Sequence, residues 1–289
     1  MTIKDALDRA KRLRKDRLEE ETRQGVVSPV VPAPPKHDFT HVSPVPQPAI
    51  KFEPLATVEI SAAACQQNRI LLTAAQLSEA PQVDAAFRLL RSRLQQRVRR
   101  GNWNSLAVVS PGQNDGKTFT AINLALSVAR EKQRPVYLVD LDMRNPSVCT
   151  YLGVEGVRPL PDYFAGAAKL EDVLFQTSVS HLIVAGARES VKGASEMLAG
   201  PGLENLLGHI RARSPDAIII IDLPPVNVTD EALVVAAYVD ALLVVVSEGK
   251  TPRDNLARTL SVLSDFTVAG IVNNQSSDHH VAPYEQYYG

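Results

Sequence analysis

Six short apolar runs punctuate the second two-thirds of the chain: SLAVVS (105–110), PVYLVD (135–140), HLIVAG (181–186), AIIIID (217–222), ALLVVV (241–246) and VAGIVN (268–273). None alternates apolar with polar residues. Each therefore predicts a strand buried on both faces, the condition of a parallel sheet covered by helices. Helical stretches separate the runs, which predicts an α/β fold with a doubly wound, mostly parallel sheet. Ahead of the first run, VDAAFRLLRSRLQQRVRR predicts a helix over 82–100 that carries six arginines.

The two ends follow a different pattern. Ile3, Ala6, Leu7, Ala10 and Leu13 fall at helical spacing among Lys and Arg, so residues 1–24 predict a charged helix. Its stripe is thin: it suits a solvated helix, or one that docks on a partner or an anionic surface. Residues 25–58 hold eight prolines, lack backbone donors and cannot build a core. The expected organisation is a helix over 1–24, a proline-rich linker over 25–67, a globular domain over 68–274 and a tail over 275–289.

Composition narrows the class. The chain has 289 residues, 45% of them hydrophobic, and a formal net charge of −1. That supports a large core and argues against a general binder of nucleic acid. Two cysteines make no disulfide framework, and the six histidines show no zinc spacing. The amino-terminal residues are charged where a signal peptide would be apolar. The longest apolar run, Ala232 to Val246, is broken by Asp240 and falls short of the roughly 20 residues needed to span a bilayer. The expectation is a cytoplasmic protein.

Three motifs carry chemistry. SPGQNDGKT (110–118) follows the first predicted strand and opens a helix, the context a phosphate-binding loop requires. Gly112 and Gly116 permit tight turns, and the N–H groups of Gln113, Asn114 and Asp115 can point at phosphate oxygens. Lys117 would reach the β- and γ-phosphates, and the Thr118 hydroxyl would bind Mg2+. Pro111 stands where the general pattern has its first glycine. The second motif, VYLVDLDMR (136–144), ends a strand with Asp140 and Asp142, at the edge of an open α/β sheet where ligands bind. The third, IIIID (218–222), ends in Asp222, the usual place of a Mg2+ carboxylate in phosphate-loop enzymes. Asn273, at the end of the last strand, is a candidate adenine contact. No NKxD stands there to read guanine, which favours ATP.

Together SPGQNDGKTFTAINLALSVA, VYLVDLDMRNPSV and AIIIIDLPPV resemble the bacterial tyrosine kinases of polysaccharide export, over about residues 85–289. The resemblance implies an ATP- and Mg2+-dependent protein-tyrosine autokinase that regulates exopolysaccharide or capsule synthesis. In that reading Lys117 and Asp140 are catalytic, Asp140 serving the incoming tyrosine hydroxyl as base or orienter. Thr118, Asp142 and Asp222 hold the metal, directly or through water. Tyr284, Tyr287 and Tyr288 of the tail PYEQYYG are the phosphoacceptors. It further implies a homo-oligomer at the inner face of the cell membrane, activated in trans by a membrane polysaccharide chain-length regulator (co-polymerase). The family's ExxRxxR subunit-contact pattern is met by Arg88 and Arg91, but its glutamate position is Ala85. Two other readings share the motifs: a partition or division-site ATPase, which would need a lysine where Gly112 stands, and a non-catalytic ATP-binding scaffold.

Overall fold

The computed structural model describes residues 53–101 and 103–276. The expected helix over 1–24, most of the proline-rich segment and the three tail tyrosines lie outside the described residues. In chain order the elements are β1 (Ala56–Val58), α1 (Ala62–Gln67), α2 (Ala74–Glu79), α3 (Pro81–Gly101), β2 (Ser105–Val109), α4 (Lys117–Ala129), β3 (Val136–Asp140), α5 (Val148–Leu152), α6 (Pro161–Phe164), α7 (Leu170–Val173), β4 (Phe175–Thr177), β5 (Leu182–Ala185), α8 (Ala194–Ala199), α9 (Gly202–Arg213), β6 (Ile218–Asp222), α10 (Glu231–Ala236), β7 (Ala241–Ser247), α11 (Arg253–Val262) and β8 (Val268–Asn274).

The strands form one sheet in the order β1-β4-β5-β3-β6-β2-β7-β8. Every pairing is parallel except β4 with β5. Successive residues of each central strand enter opposite cores. Leu106 and Val108 of β2, Ile218 and Ile220 of β6, and Leu243 and Val245 of β7 pack on one face. Ala107 and Val109, Ile219 and Ile221, and Val244 and Val246 pack on the other. Continuous apolar strands are thus required, because both faces exclude water.

Helix α4 crosses behind the first face, with twelve of its thirteen residues buried. A helix buried nearly all round belongs between layers. Its buried Asn123 accepts a 2.8 Å hydrogen bond from the Leu71 N–H, which removes the cost of an unpaired amide there. Outside α4 lies α3, whose Phe87, Leu94 and Val98 are buried. The arginines of α3 divide. Arg88 stays exposed and pairs with Asp84 one turn back at 3.1 Å. Arg91 turns inward, 2.9 Å from Glu131 and 2.9 Å from the Ser127 carbonyl, and ties α3 to the end of α4. It therefore belongs to the packing of the domain.

The domain begins earlier than expected. Residues 56–67, assigned from sequence to the linker, contain β1 and α1. β1 pairs with β4, and Ile60 and Cys65 are buried in the main core. Ser61 caps α1 by accepting from the Ala64 N–H. Gly153, with φ +63°, ends α5 against this helix; a Cβ there would lie 2.5 Å from the Ser61 Cβ and 2.6 Å from that of Ala64. Strands β1 and β4 are three residues each, too short for an apolar pattern to register.

Candidate nucleotide site

The three motifs meet at the carboxyl ends of β2, β6 and β3, which are adjacent in the sheet. Register places Val108 beside Asp222, and Asp222 beside Asp140. Residues far apart in the chain converge because parallel strands all deliver their ends to one edge.

The loop between β2 and α4 turns sharply. Asn114 and Gly116 both take positive φ, +62° and +92°. Gly116 has a second reason to be glycine: a Cβ would lie 1.9 Å from the Asn274 side-chain amide. The loop then enters α4 at Lys117, so the first N–H groups of a buried helix face the loop's interior. The Gly112 N–H is engaged within the loop, where it bonds Asp115 Oδ2 at 2.9 Å. Gln113 and Asn114 are exposed, and Asp115 is buried.

Lys117 Nζ lies 2.6 Å from Asp142 Oδ2 and 3.9 Å from Asp222 Oδ1. The Thr118 hydroxyl donates to Asp222 Oδ2 at 2.6 Å. Burial alone would lower the Lys117 pKa; the carboxylates of Asp222 and Asp142 outweigh it and raise the pKa above its ordinary value. The ammonium therefore stays charged.

Asp140 plays a different part. Its Oδ2 accepts from the N–H groups of Ser147 and Val148 at 2.9 and 3.0 Å, and its Oδ1 from that of Asp142 at 3.1 Å. It holds the 141–148 loop, and with it Asp142, against the strand end. Burial, and then the charge of Asp222, push its pKa up, partly opposed by the Val148 and Ser147 N–H donors. Burial also raises Asp222, against the pull of Lys117. Arg144, last member of the second motif, pairs with the buried Glu231 of α10 at 2.6 Å.

The donor set fits a nucleotide with a divalent cation. Among the described residues, the buried Asp140, Asp142 and Asp222 share the single ammonium of Lys117, and Asp222 Oδ1 is buried without a hydrogen-bond partner. Such an excess of negative charge calls for a further cation. Thr118, Asp142 and Asp222 are the residues that would hold it.

Asn273 is exposed and donates to Glu248 at 3.4 Å, away from the loop. Its neighbour Asn274 is the one that reaches the loop, donating to the Asp115 carbonyl at 2.9 Å. Three contributors escaped the motifs altogether: Thr251, Asn274 and Gln275 all bond the loop from the far end of the sequence. Polar residues at strand ends are too common to mark them in a sequence.

A family model described as ParA, NUBPL iron-transfer P-loop NTPase, matches residues 103–285. The chain belongs to this family of P-loop NTPases. Within it, the relatives are bacterial tyrosine-protein kinases, the family that the motifs resemble. Tyrosine-protein kinase ptk of Acinetobacter johnsonii is 29% identical over 171 residues, which are 59% of this chain and 22% of that protein. Tyrosine-protein kinase CpsD of Streptococcus agalactiae is 25% identical over 224 residues, 76% of this chain and 95% of its own length. Against the solved kinase domain of the Escherichia coli tyrosine kinase ETK the TM-score is 0.62 at 23% identity, covering 68% of this chain and 78% of that one. The likeness is one of fold, over that shared part of the two chains. Among the described residues no helix is long and apolar enough to cross a membrane.

Proposed function

We propose that the chain is an ATP- and Mg2+-dependent protein-tyrosine kinase that phosphorylates tyrosines of its own tail and regulates synthesis of an exopolysaccharide or capsule. One observation carries this reading: Asp140 ends β3 in register with Asp222, and Asp142, two residues on, pairs with Lys117. That arrangement joins a phosphate loop to a second acidic motif.

Phosphoryl transfer asks the protein mainly for positioning and charge neutralisation. The loop N–H groups and Lys117 would bind the β- and γ-phosphates. The cation, when bound at Thr118, Asp142 and Asp222, supplies further neutralisation of the phosphate charge. A tyrosine hydroxyl has a pKa near 10 and needs a proton acceptor as it attacks. Asp140 is assigned that role: burial raises its proton affinity, and three N–H groups fix its direction. Tyr284, Tyr287 and Tyr288 are the assigned acceptors, presented to a second copy of the chain. An activator in trans, the membrane polysaccharide co-polymerase, and a position at the inner face of the membrane complete the proposal.

The partition-ATPase reading is disfavoured because Gly112 stands where that class needs a lysine. The test is direct. The full chain is incubated with ATP and Mg2+ and its phosphorylated residues are mapped by mass spectrometry. Phosphotyrosine at 284, 287 or 288, lost in Lys117→Arg, supports the kinase. ATP binding with no phosphotyrosine, with or without the activator, would leave a scaffold.

A further inference from the structure

A carboxylate inside a phosphate-binding loop is unexpected, because it repels the ligand the loop is built to hold. Asp115 sits there, immediately before Gly116, and is 5% exposed. Three hydrogen bonds hold it, two on its carboxylate and one on its carbonyl. Oδ2 accepts from the Gly112 N–H at 2.9 Å, across the turn of the loop itself. Oδ1 accepts from the Thr251 hydroxyl at 2.6 Å. Its carbonyl accepts from Asn274 Nδ2 at 2.9 Å, and the adjacent Asn114 carbonyl from Gln275 Nε2 at 3.1 Å.

These partners form a unit of their own. The Thr251 hydroxyl accepts from the Ser247 N–H at 2.8 Å, so its single proton is committed to Asp115. Ser247 Oγ and Lys250 Nζ both donate to Gln275 Oε1, at 3.0 and 2.7 Å. The Glu248 N–H bonds the Asn274 carbonyl at 2.9 Å. The turn after β7 and the end of β8 are thus knitted together and then fastened to the loop at two consecutive residues. Within the loop Asn114 takes the left-handed region, which asparagine adopts more readily than other residues with a side chain.

We infer that Asp115 and Thr251 form a clamp that pre-shapes the phosphate loop, and that both are positioning residues for nucleotide binding. This rests on the nucleotide reading of the loop. A prebuilt cradle lowers the ordering cost of binding. It acts equally on bound substrate and transition state, so its loss raises KM and leaves kcat nearly unchanged. The sign separates the clamp from simple repulsion. If Asp115 only repelled phosphate, its removal would tighten ATP binding; as a clamp, its removal weakens it.

The experiment uses the full chain and a fluorescent ATP analogue with Mg2+. Thr251→Val keeps the shape and removes the hydroxyl; Thr251→Ser restores it. Thr251→Val and Asp115→Ala should each weaken binding about tenfold, or ~1.4 kcal/mol. Thr251→Ser should bind like the parent chain. In kinetics KM should rise about tenfold in Thr251→Val while kcat stays within about twofold. Hydrogen exchange without nucleotide reads the clamp independently: amides of 112–116 should exchange faster in Thr251→Val and in Asp115→Ala. Parent-like binding by Thr251→Val, tighter binding by Asp115→Ala, or unchanged exchange in both variants would overturn the clamp. A parent chain that binds no analogue, yet shows the exchange difference, would overturn the nucleotide reading and leave the clamp as a feature of the loop alone.

Discussion

Replacing Lys117 by methionine should do more than remove a phosphate contact. Among the described residues the ammonium is the one cation paired with any of Asp140, Asp142 and Asp222, 2.6 Å from Asp142 and 3.9 Å from Asp222. Removing one partner of a buried ion pair costs about 3–5 kcal/mol, because the other charge is left in a poor solvent. In a domain of this size each kcal/mol moves the melting temperature by about 2–4 °C, so a fall of roughly 10 °C follows. The loss depends on pH. Burial moves Asp222 up to about 6 and Asp140 up to about 8 in the folded chain. A carboxyl raised on folding contributes stability that is full below its unfolded value near 4 and is lost as pH rises through the folded value. At low pH these groups are neutral and need no ammonium; at high pH they are charged and do. The deficit of Lys117→Met should therefore be larger at about pH 8 than at about pH 5. The assay is thermal unfolding by circular dichroism, with chelator and without nucleotide, alongside Lys117→Arg, which keeps the charge. A Lys117→Met melting temperature equal to the parent's at both pH values, or a deficit greater at the lower one, would refute the reasoning.

Three further outcomes are expected. Raising Mg2+ should partly restore phosphorylation in Asp222→Asn but not in Asp140→Asn, since only the first is assigned to the metal; equal restoration would remove Asp140 from its proton-accepting role. A chain starting at Asn68 should melt well below one starting at Glu53, since it loses β1, Ile60 and Cys65; the burial of one aliphatic side chain alone carries about 2–5 kcal/mol, and equal melting temperatures would show that 53–67 add nothing. Both thiols are buried, with pKa values pushed up to about 11 for Cys65 and about 12 for Cys149. An alkylating reagent at neutral pH should leave both unmodified in the native protein and label both in denaturant, and rapid native labelling would contradict the packing.

Much of this protein is written in local patterns. The six continuous apolar runs dictate a sheet buried on both faces, because no other setting accepts strands without a polar side. The glycines and GKT after the first strand dictate a phosphate loop at its end, and the aspartates closing 136–140 and 218–222 dictate an acidic edge. What needed the tertiary structure is whatever depends on distance in space alone. A three-residue strand such as β1 has no pattern of its own; it exists because β4 offers it an edge, so the domain starts before the last proline-rich stretch has faded from the composition. Arg91 is indistinguishable from Arg88 in sequence, yet Glu131 lies only in its reach. Asp115 reads as one more loop residue until Thr251, 136 positions away, is seen to hold it. Asn273 and Asn274 are equivalent on paper, and the strand's alternation turns only one of them toward the loop. Local chemistry is encoded residue by residue, whereas partners across the fold are assigned only when the chain closes on itself.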